Sequence, residues 1–328
     1  MKSKLSLIAL AIGFAFSSSA AFASDTSTVK QNGSGNNTTV TQSGNAASSI
    51  GSVTVTEDGD ANNTKVTQTG NSSYSTAVVT DNAGANNNVS SVSQNGNTGA
   101  AGWVQNWGSS NTASIAQNGV NGVYGLIYQN GSANQGSVDQ SAGANQSATI
   151  NQSMFGQTGT NNLATATQTG NNQSAAIEQG PGSYNVVATN QSYSDNETTV
   201  TQSGASNRAY VTQLGAGILN VADVTQGGDN NYASLYQNGG NLTASLTQGG
   251  DNNMSTIGQS GVNNDAIITQ GGNSNVASIS QYGSGLQNKI TLDQGGMNNQ
   301  ANISQSGQNF VSNNIQAGNS NVLNVVQN

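Results

Sequence analysis

A glutamine returns about every eleven residues along most of the chain, and this repetition limits the possible folds more than any other feature. The marker stands at Gln31, Gln42, Glu57, Gln68, Asp81, Gln94, Gln105, Gln117, Gln129, Gln140, Gln152, Gln168 and Gln179. It continues at Gln191, Gln202, Gln213, Gln226, Gln237, Gln248, Gln259, Gln270, Gln281, Gln294, Gln305, Gln316 and Gln327. Of the 25 intervals between these 26 positions, 15 are 11 residues long, and the rest run from 12 to 16. Gly follows two residues after most markers, as at Gly33, Gly44, Gly239 and Gly250. Six residues before the next marker stands Asn, as at Asn231, Asn253, Asn264, Asn275, Asn299 and Asn321. Four before, a small residue is common (Ala233, Ala266, Ala277), and two before, an aliphatic (Leu235, Ile268, Ile279). The unit reads Asn-x-Ala-x-aliphatic-x-Gln-x-Gly-x-x.

Positions spaced by two share one face of an extended strand, whereas a helix would need spacings of three and four. The intervening residues are polar and often Thr, as at Thr201, Thr225 and Thr269, which suits the outer face of a strand. The x-Gly-x-x segment supplies the positive φ of a tight turn. A meander of antiparallel strands would give the same reading, but it would set the Asn end of one strand beside the Gln end of the next. Coiling, with two intervals per rung, instead stacks like on like at about 4.8 Å, so that amides bond along the stack and aliphatics form a ridge. The expected fold is all-β: a two-sheet parallel β-solenoid of about 12 rungs built from strand-turn-strand repeats. The expected structural ladder comprises Gln31, Gln42, Gln202, Gln213, Gln226, Gln237, Gln248, Gln259, Gln270, Gln281, Gln294, Gln305, Gln316 and Gln327 with the six Asn above.

Composition removes most other functions. The 328 residues hold no Cys, no His and one Pro, so disulfides and imidazole chemistry are absent. Six Lys and Arg against 14 Asp and Glu leave no basic face for nucleic acid. Lys30, Lys65, Arg208 and Lys289 are scattered and build no catalytic cleft, so no enzyme and no cofactor is expected. The repeat Asp of a calcium β-roll is missing, although Asp229 and Asp251 follow Gly-Gly; in those turns they are expected to aid solubility and slow premature pairing. Asn-x-Ser/Thr triplets such as Asn71-Ser72-Ser73 arise by chance in such a sequence. A solenoid adhesin or ice-binding protein would show an uninterrupted Thr array, which Tyr128, Asp139, Glu178, Tyr236 and Asp293 break.

Residues 1–23 read as a secretory signal peptide: Lys2 and Lys4, an apolar run Leu5 to Phe16, and the small-x-small site Ala21-Phe22-Ala23. That run is too short for a membrane anchor, which needs about 20 residues. Residues 24–328 then form one repeat domain. The pattern runs from Val29 to Gln327, and no polar cap is expected at either end, so unpaired backbone groups there would template another chain. Head-to-tail addition of such units does not close, and its product is a filament.

The export signal and the serial Asn-x-Ala-x-aliphatic-x-Gln-x-Gly units over residues 29–327 resemble the curlin repeat of curli subunits, the secreted amyloid proteins of bacterial biofilms. The resemblance implies an extracellular matrix fibre, a left-handed solenoid, export through a dedicated outer-membrane pore with accessory factors, and nucleation by a minor subunit at the cell surface. The last rung lacks Lys and Arg, which favours the major, fibre-forming role over the nucleator. The chain has more repeats than the major subunits it resembles and lacks their Gly-rich segment before the repeats.

Four irregular features complete the reading. The intervals Gln42–Glu57 and Gln152–Gln168, the latter with Met154 and Phe155, are expected to carry bulged turns. Trp103 is expected in an inward place and Trp107 in a turn. Glu57 and Asp81 replace Gln two intervals apart, and so are expected to stack in adjacent rungs. Two carboxylates so placed repel, which makes them possible gatekeepers of stacking near the N-terminus, with a bound cation or a solvent-facing carboxylate as the alternatives.

Overall fold

The computed structural model describes residues 25–45, 50–152, 159–215, 219–283 and 287–328. The signal-peptide segment, Met154 with Phe155, and the tops of the two longest intervals lie outside the described residues.

Alternation of buried and outward residues makes each interval a strand, and the strands separate by parity into two 13-stranded sheets. One sheet runs Thr26–Asn32, Gly51–Asp58, Ser75–Asp81, Ala101–Asn106, Tyr124–Gln129 and onward to Val311–Gln316. We call it the first sheet. The second sheet starts at Asn37–Ser43 and Asn63–Thr69 and ends at Val322–Gln327. Neighbours in a sheet are parallel and in register: Gln213 lies beside Gln237, and Gln226 beside Gln248. The chain is thus an all-β, two-sheet parallel β-solenoid, with one strand for each of the 26 recurring positions, and about 60 Å long at the usual strand spacing. A small ladder, Gly131–Ser132 on Gly159–Thr160, joins two turns.

The core is one thin continuous slab between the sheets. Val55, Val79, Val104, Ile127 and Ile150 follow one another in the first sheet, and Val66, Val92, Ile115 and Val138 in the second, all buried. Large residues face small ones: a Cβ added to Gly136 would lie 2.8 Å from Ile127 Cγ2, so the glycine makes room for the isoleucine. In the outermost rungs Val29, Val40, Leu323 and Val325 are only partly buried.

The turns require special backbone. Asn230, Asn252 and Ser274 hold φ near +57°, a left-handed conformation that Asn tolerates because its short polar side chain bonds locally. At Gly261, φ is +100° and a Cβ would fall 1.7 Å from the Gly283 carbonyl oxygen one rung on, so only glycine fits.

Two expectations are corrected. In strand Ala101–Asn106 the inward residues are Gly102, Val104 and Asn106, and Asn106, not Gln105, aligns with Asp81 and Gln129. Gln105 lies outward between Thr80 and Tyr128. Trp103 is outward too, 45% exposed, with its ring 6.5 Å from that of Tyr124. The slab is too thin for an indole, and shifting the strand by one residue buries Val104 instead. The last strand of the first sheet departs as well: Asn314 aligns with Leu292, and Ile315 is 79% exposed.

Candidate functional site: the amide ladders and the rungs that expose them

In the second sheet the Gln column is unbroken. Gln42 Nε2 donates to Gln68 Oε1, Gln68 to Gln94, Gln94 to Gln117, Gln117 to Gln140 and Gln140 to Gln168, all at 2.8–2.9 Å. The series continues through Gln191, Gln213, Gln237, Gln259, Gln281 and Gln305 to Gln327. Every bond points the same way, from Nε2 of one rung to Oε1 of the next toward the C-terminus. The second hydrogen of each Nε2 crosses the core: Gln237 donates to Val221 O at 3.0 Å and Gln259 to Thr243 O at 2.9 Å. Each buried amide therefore has both its hydrogens and its oxygen engaged, which a buried polar group requires, and each Gln pins one sheet to the other.

The Asn column is built differently. Asn231 Oδ1 accepts the backbone N–H of Asn253, Asn253 that of Asn275, Asn275 that of Asn299, and Asn299 that of Asn321, at 2.9–3.0 Å. The side-chain Nδ2 turns back onto the tight turn, as in Asn231 to Gly227 O at 2.6 Å and Asn299 to Gly295 O at 2.8 Å. The shorter side chain reaches the backbone rather than the next amide, so Asn here fastens turns to strands. Asn264 is an exception in the first sheet: its Oδ1 accepts Asn288 Nδ2 at 3.0 Å, while its own Nδ2 donates to Ser260 O. The turn carboxylates join in, with Asp251 Oδ1 accepting Asp229 N at 2.8 Å and Asp229 Oδ1 accepting Ala205 N at 2.7 Å. These aspartates are therefore structural acceptors, a role that spacing alone did not reveal.

In the first sheet the Gln column is complete from Gln129 through Gln152, Gln179, Gln202, Gln226, Gln248, Gln270 and Gln294 to Gln316. Before Gln129 it is interrupted. Gln31 Nε2 donates to Glu57 Oε2 at 2.8 Å, and Asn106 Nδ2 donates to Asp81 Oδ1 at 2.7 Å, against the direction of every other rung. Glu57 and Asp81 are buried and in register, and Glu57 Oε1, Asp81 Oδ2, Asn106 Oδ1 and Gln129 Oε1 have no hydrogen-bond partner. Burial, and to a lesser degree the neighbouring Glu57 charge, push the Asp81 carboxyl up to about 6, against the pull of the Asn106 hydrogen bond.

The outermost described rungs lack a neighbour on one side. Strand Val322–Gln327 alternates exposed and half-buried residues, and Val322 and Val326 are 68% and 67% exposed. The first strand, Thr26–Asn32, alternates likewise. Because the columns are polar, the C-terminal rung presents Nε2 of Gln316 and Gln327, and the N-terminal rung Oε1 of Gln31 and Gln42.

Among the described residues, no group of three or more Asp and Glu is placed to hold a metal ion. No described helix is long and apolar enough to cross a membrane.

A family model described as Curlin associated repeat matches residues 194–228, 228–261 and 261–296 in succession. No curated protein matches the chain significantly. Each matched segment covers three strands, the first being Asn196–Gln202, Arg208–Leu214 and Asn220–Gln226. The flanking rungs continue the same two parallel sheets. Over residues 194–296 the solenoid is thus similar to Curlin associated repeats.

Proposed function

We propose that this chain is a secreted structural subunit that adds head to tail to copies of itself, forming an extracellular amyloid fibre of the curli kind that supports adhesion and aggregation in a bacterial biofilm. In this reading residues 1–23 are removed on export and residues 24–328 form the fibre unit. The observation that carries it is the polarity of the ladders. Setting the N-terminal rung of one copy on the C-terminal rung of another places Gln31 Oε1 before Gln316 Nε2 and Gln42 Oε1 before Gln327 Nε2. It also lays Val40 over Val325 and supplies backbone partners to both exposed edges. Head-to-head contact would oppose amide to amide and unlike strand directions. The family likeness supports a structural, non-enzymatic role, with a minor nucleating subunit, an outer-membrane pore and its accessory factors as partners. The smooth, fully paired column at the C-terminal end favours the fibre-forming role over a surface-anchored nucleator.

Time-resolved amyloid-dye binding with electron microscopy of the purified chain tests the reading. Unbranched fibres whose growth is blocked by Val325→Lys are expected. A monodisperse monomer that persists under the same conditions would point instead to a solenoid adhesin.

A further inference from the structure

Among the described residues, the Gln column's donor count fails in the interrupted stretch of the first sheet. A column of Gln supplies one donor and one acceptor per rung. Glu57 receives its bond from Gln31 on Oε2, and Asp81 receives its bond from Asn106 on Oδ1. Each carboxyl is thus satisfied from its outer side, and the two remaining oxygens, Glu57 Oε1 and Asp81 Oδ2, are both buried acceptors without a partner in adjacent, paired rungs. Between them one hydrogen is missing.

We propose that Glu57 and Asp81 together bind one proton, shared between Glu57 Oε1 and Asp81 Oδ2, and that this proton joins the N-terminal rungs to the rest of the ladder. With it, one carboxyl donates to the other, and the column reads Gln31 to Glu57 to Asp81, with Asn106 donating from the far side. Without it, two carboxylates face each other in a dry slab. The step moves one proton from water to the pair and changes no other bond.

The surroundings fit a proton and nothing larger. A calcium ion takes six to eight oxygens. Here the buried oxygens without a partner are the two carboxylate oxygens, Asn106 Oδ1 and Thr64 Oγ1, fewer than a calcium ion takes, and the backbone carbonyls around them belong to the sheet. The groups facing the pair across the core are uncharged: Thr64, Gln68, Ser90 and Gln94, with Ser90 Oγ accepting from Asn106 Nδ2 at 3.0 Å. On the strands packed against it, Lys30 projects outward and pairs with Asp58 at 3.8 Å, and Lys65 is exposed. Asp25 accepts the N–H of Gly51, and Asp60 that of Ser34 in a turn. No cation reaches the pair from any of these elements.

The sign follows from the raised Asp81 carboxyl. The folded rungs bind the proton more tightly than the unfolded chain does, so its stabilisation is complete below about pH 4 and is lost as pH rises through about 6. A shift from 3.8 to about 6 corresponds to an approximately hundredfold change in the opening constant of these rungs.

The test is amide hydrogen exchange of the full chain, as monomer and as fibre, at pH 4.5 and 7.5, corrected for the intrinsic pH dependence of exchange. Peptides covering strands Gly51–Asp58 and Ser75–Asp81 are expected to open about 25-fold less at the lower pH, while those from strands Met254–Val262 to Val276–Gly283 serve as an unchanged reference. Glu57→Gln places a donor where the proton would sit, so it is expected to protect these strands at both pH values and to abolish the response. Thr64→Val, which removes a buried, unpartnered hydroxyl of the facing sheet, should leave the response intact. Infrared spectra near pH 5 should show a protonated carboxyl in the wild type that Glu57→Gln lacks. Equal protection at the two pH values in the wild type would overturn the proposal. So would a response that survives Glu57→Gln, or protection at pH 7.5 that depends on calcium and vanishes with a chelator. None of these readouts requires the chain to polymerise, so the result stands apart from the proposed fibre.

Discussion

A primary amide carries its donors and its acceptor at opposite corners of one plane. It can therefore give and take along a stack of identical copies without any charge, which is why Gln occupies every position of the second-sheet column. Removing one amide orphans two neighbours: in Gln237→Leu, Gln213 Nε2 loses its acceptor and Gln259 Oε1 its donor. Each buried unsatisfied group costs about 1–3 kcal/mol. We expect a loss of roughly 2–4 kcal/mol in the local opening free energy of strands Arg208–Leu214 through Met254–Val262, read by hydrogen exchange. Gln237→Glu should cost more at neutral pH than in acid, because its protonated carboxyl restores a donor. The Gln marker was legible because one residue type satisfies one chemical requirement at a fixed spacing. Asn106 was not: Gln105 beside it matches the marker by type, and only the exclusion of the Trp103 indole from the slab moves the strand over by one residue. The carboxyl pair was legible as a vertical neighbour relation, but the reversed Asn106 bond that isolates one proton's place was not, since nothing in the spacing gives an amide's direction.

The two sheets are equal in strand number and unequal in regularity. The second sheet keeps Gln in its whole marker column and Asn in its whole turn-fastening column, from Asn36 through Asn62 and Asn88 to Asn321. The first sheet replaces turn-fastening Asn by Leu242 and Phe310, each of which still donates its backbone N–H to the preceding Asn. These substitutions end a column, because an aliphatic or aromatic side chain has no oxygen to offer the following rung. Strand Val311–Gln316 carries a further weakness, with Asn314 in the ridge of aliphatics over Leu292. Its Nδ2 reaches Ser312 Oγ at 2.8 Å and Thr291 O at 3.3 Å, so the amide is partly satisfied while apolar burial is lost. Asn314→Val should stabilise this rung by about 1 kcal/mol, on the scale of a buried aliphatic, and raise the protection of residues 311–316 in the monomer. Strand type and pairing direction were legible from the period of two and from the like-on-like argument. The difference between sheets was not visible until parity assigned each irregular interval to one of them.

A solenoid of this composition depends on its neighbours at every level. One rung contains too few aliphatics to offset the cost of ordering its residues, so stability rises with each rung stacked and is least at the edges. Strands Thr26–Asn32 and Val322–Gln327 are thus expected to exchange fastest in the monomer and to become protected on assembly, as read by the same exchange experiment on monomer and fibre. Leu323→Lys together with Val325→Lys should leave the circular dichroism of the monomer essentially unchanged and reduce fibre elongation at least tenfold in dye-binding kinetics, because a charged ridge meets Thr38 and Val40 of the next copy. Cryo-electron microscopy of fibres grown from the purified chain tests the account most directly. The account predicts an uninterrupted two-sheet column in which Gln327 of one copy lies beside Gln42 of the next at the ordinary rung spacing. Copies joined side by side, or with unlike residues in register across the junction, would contradict it.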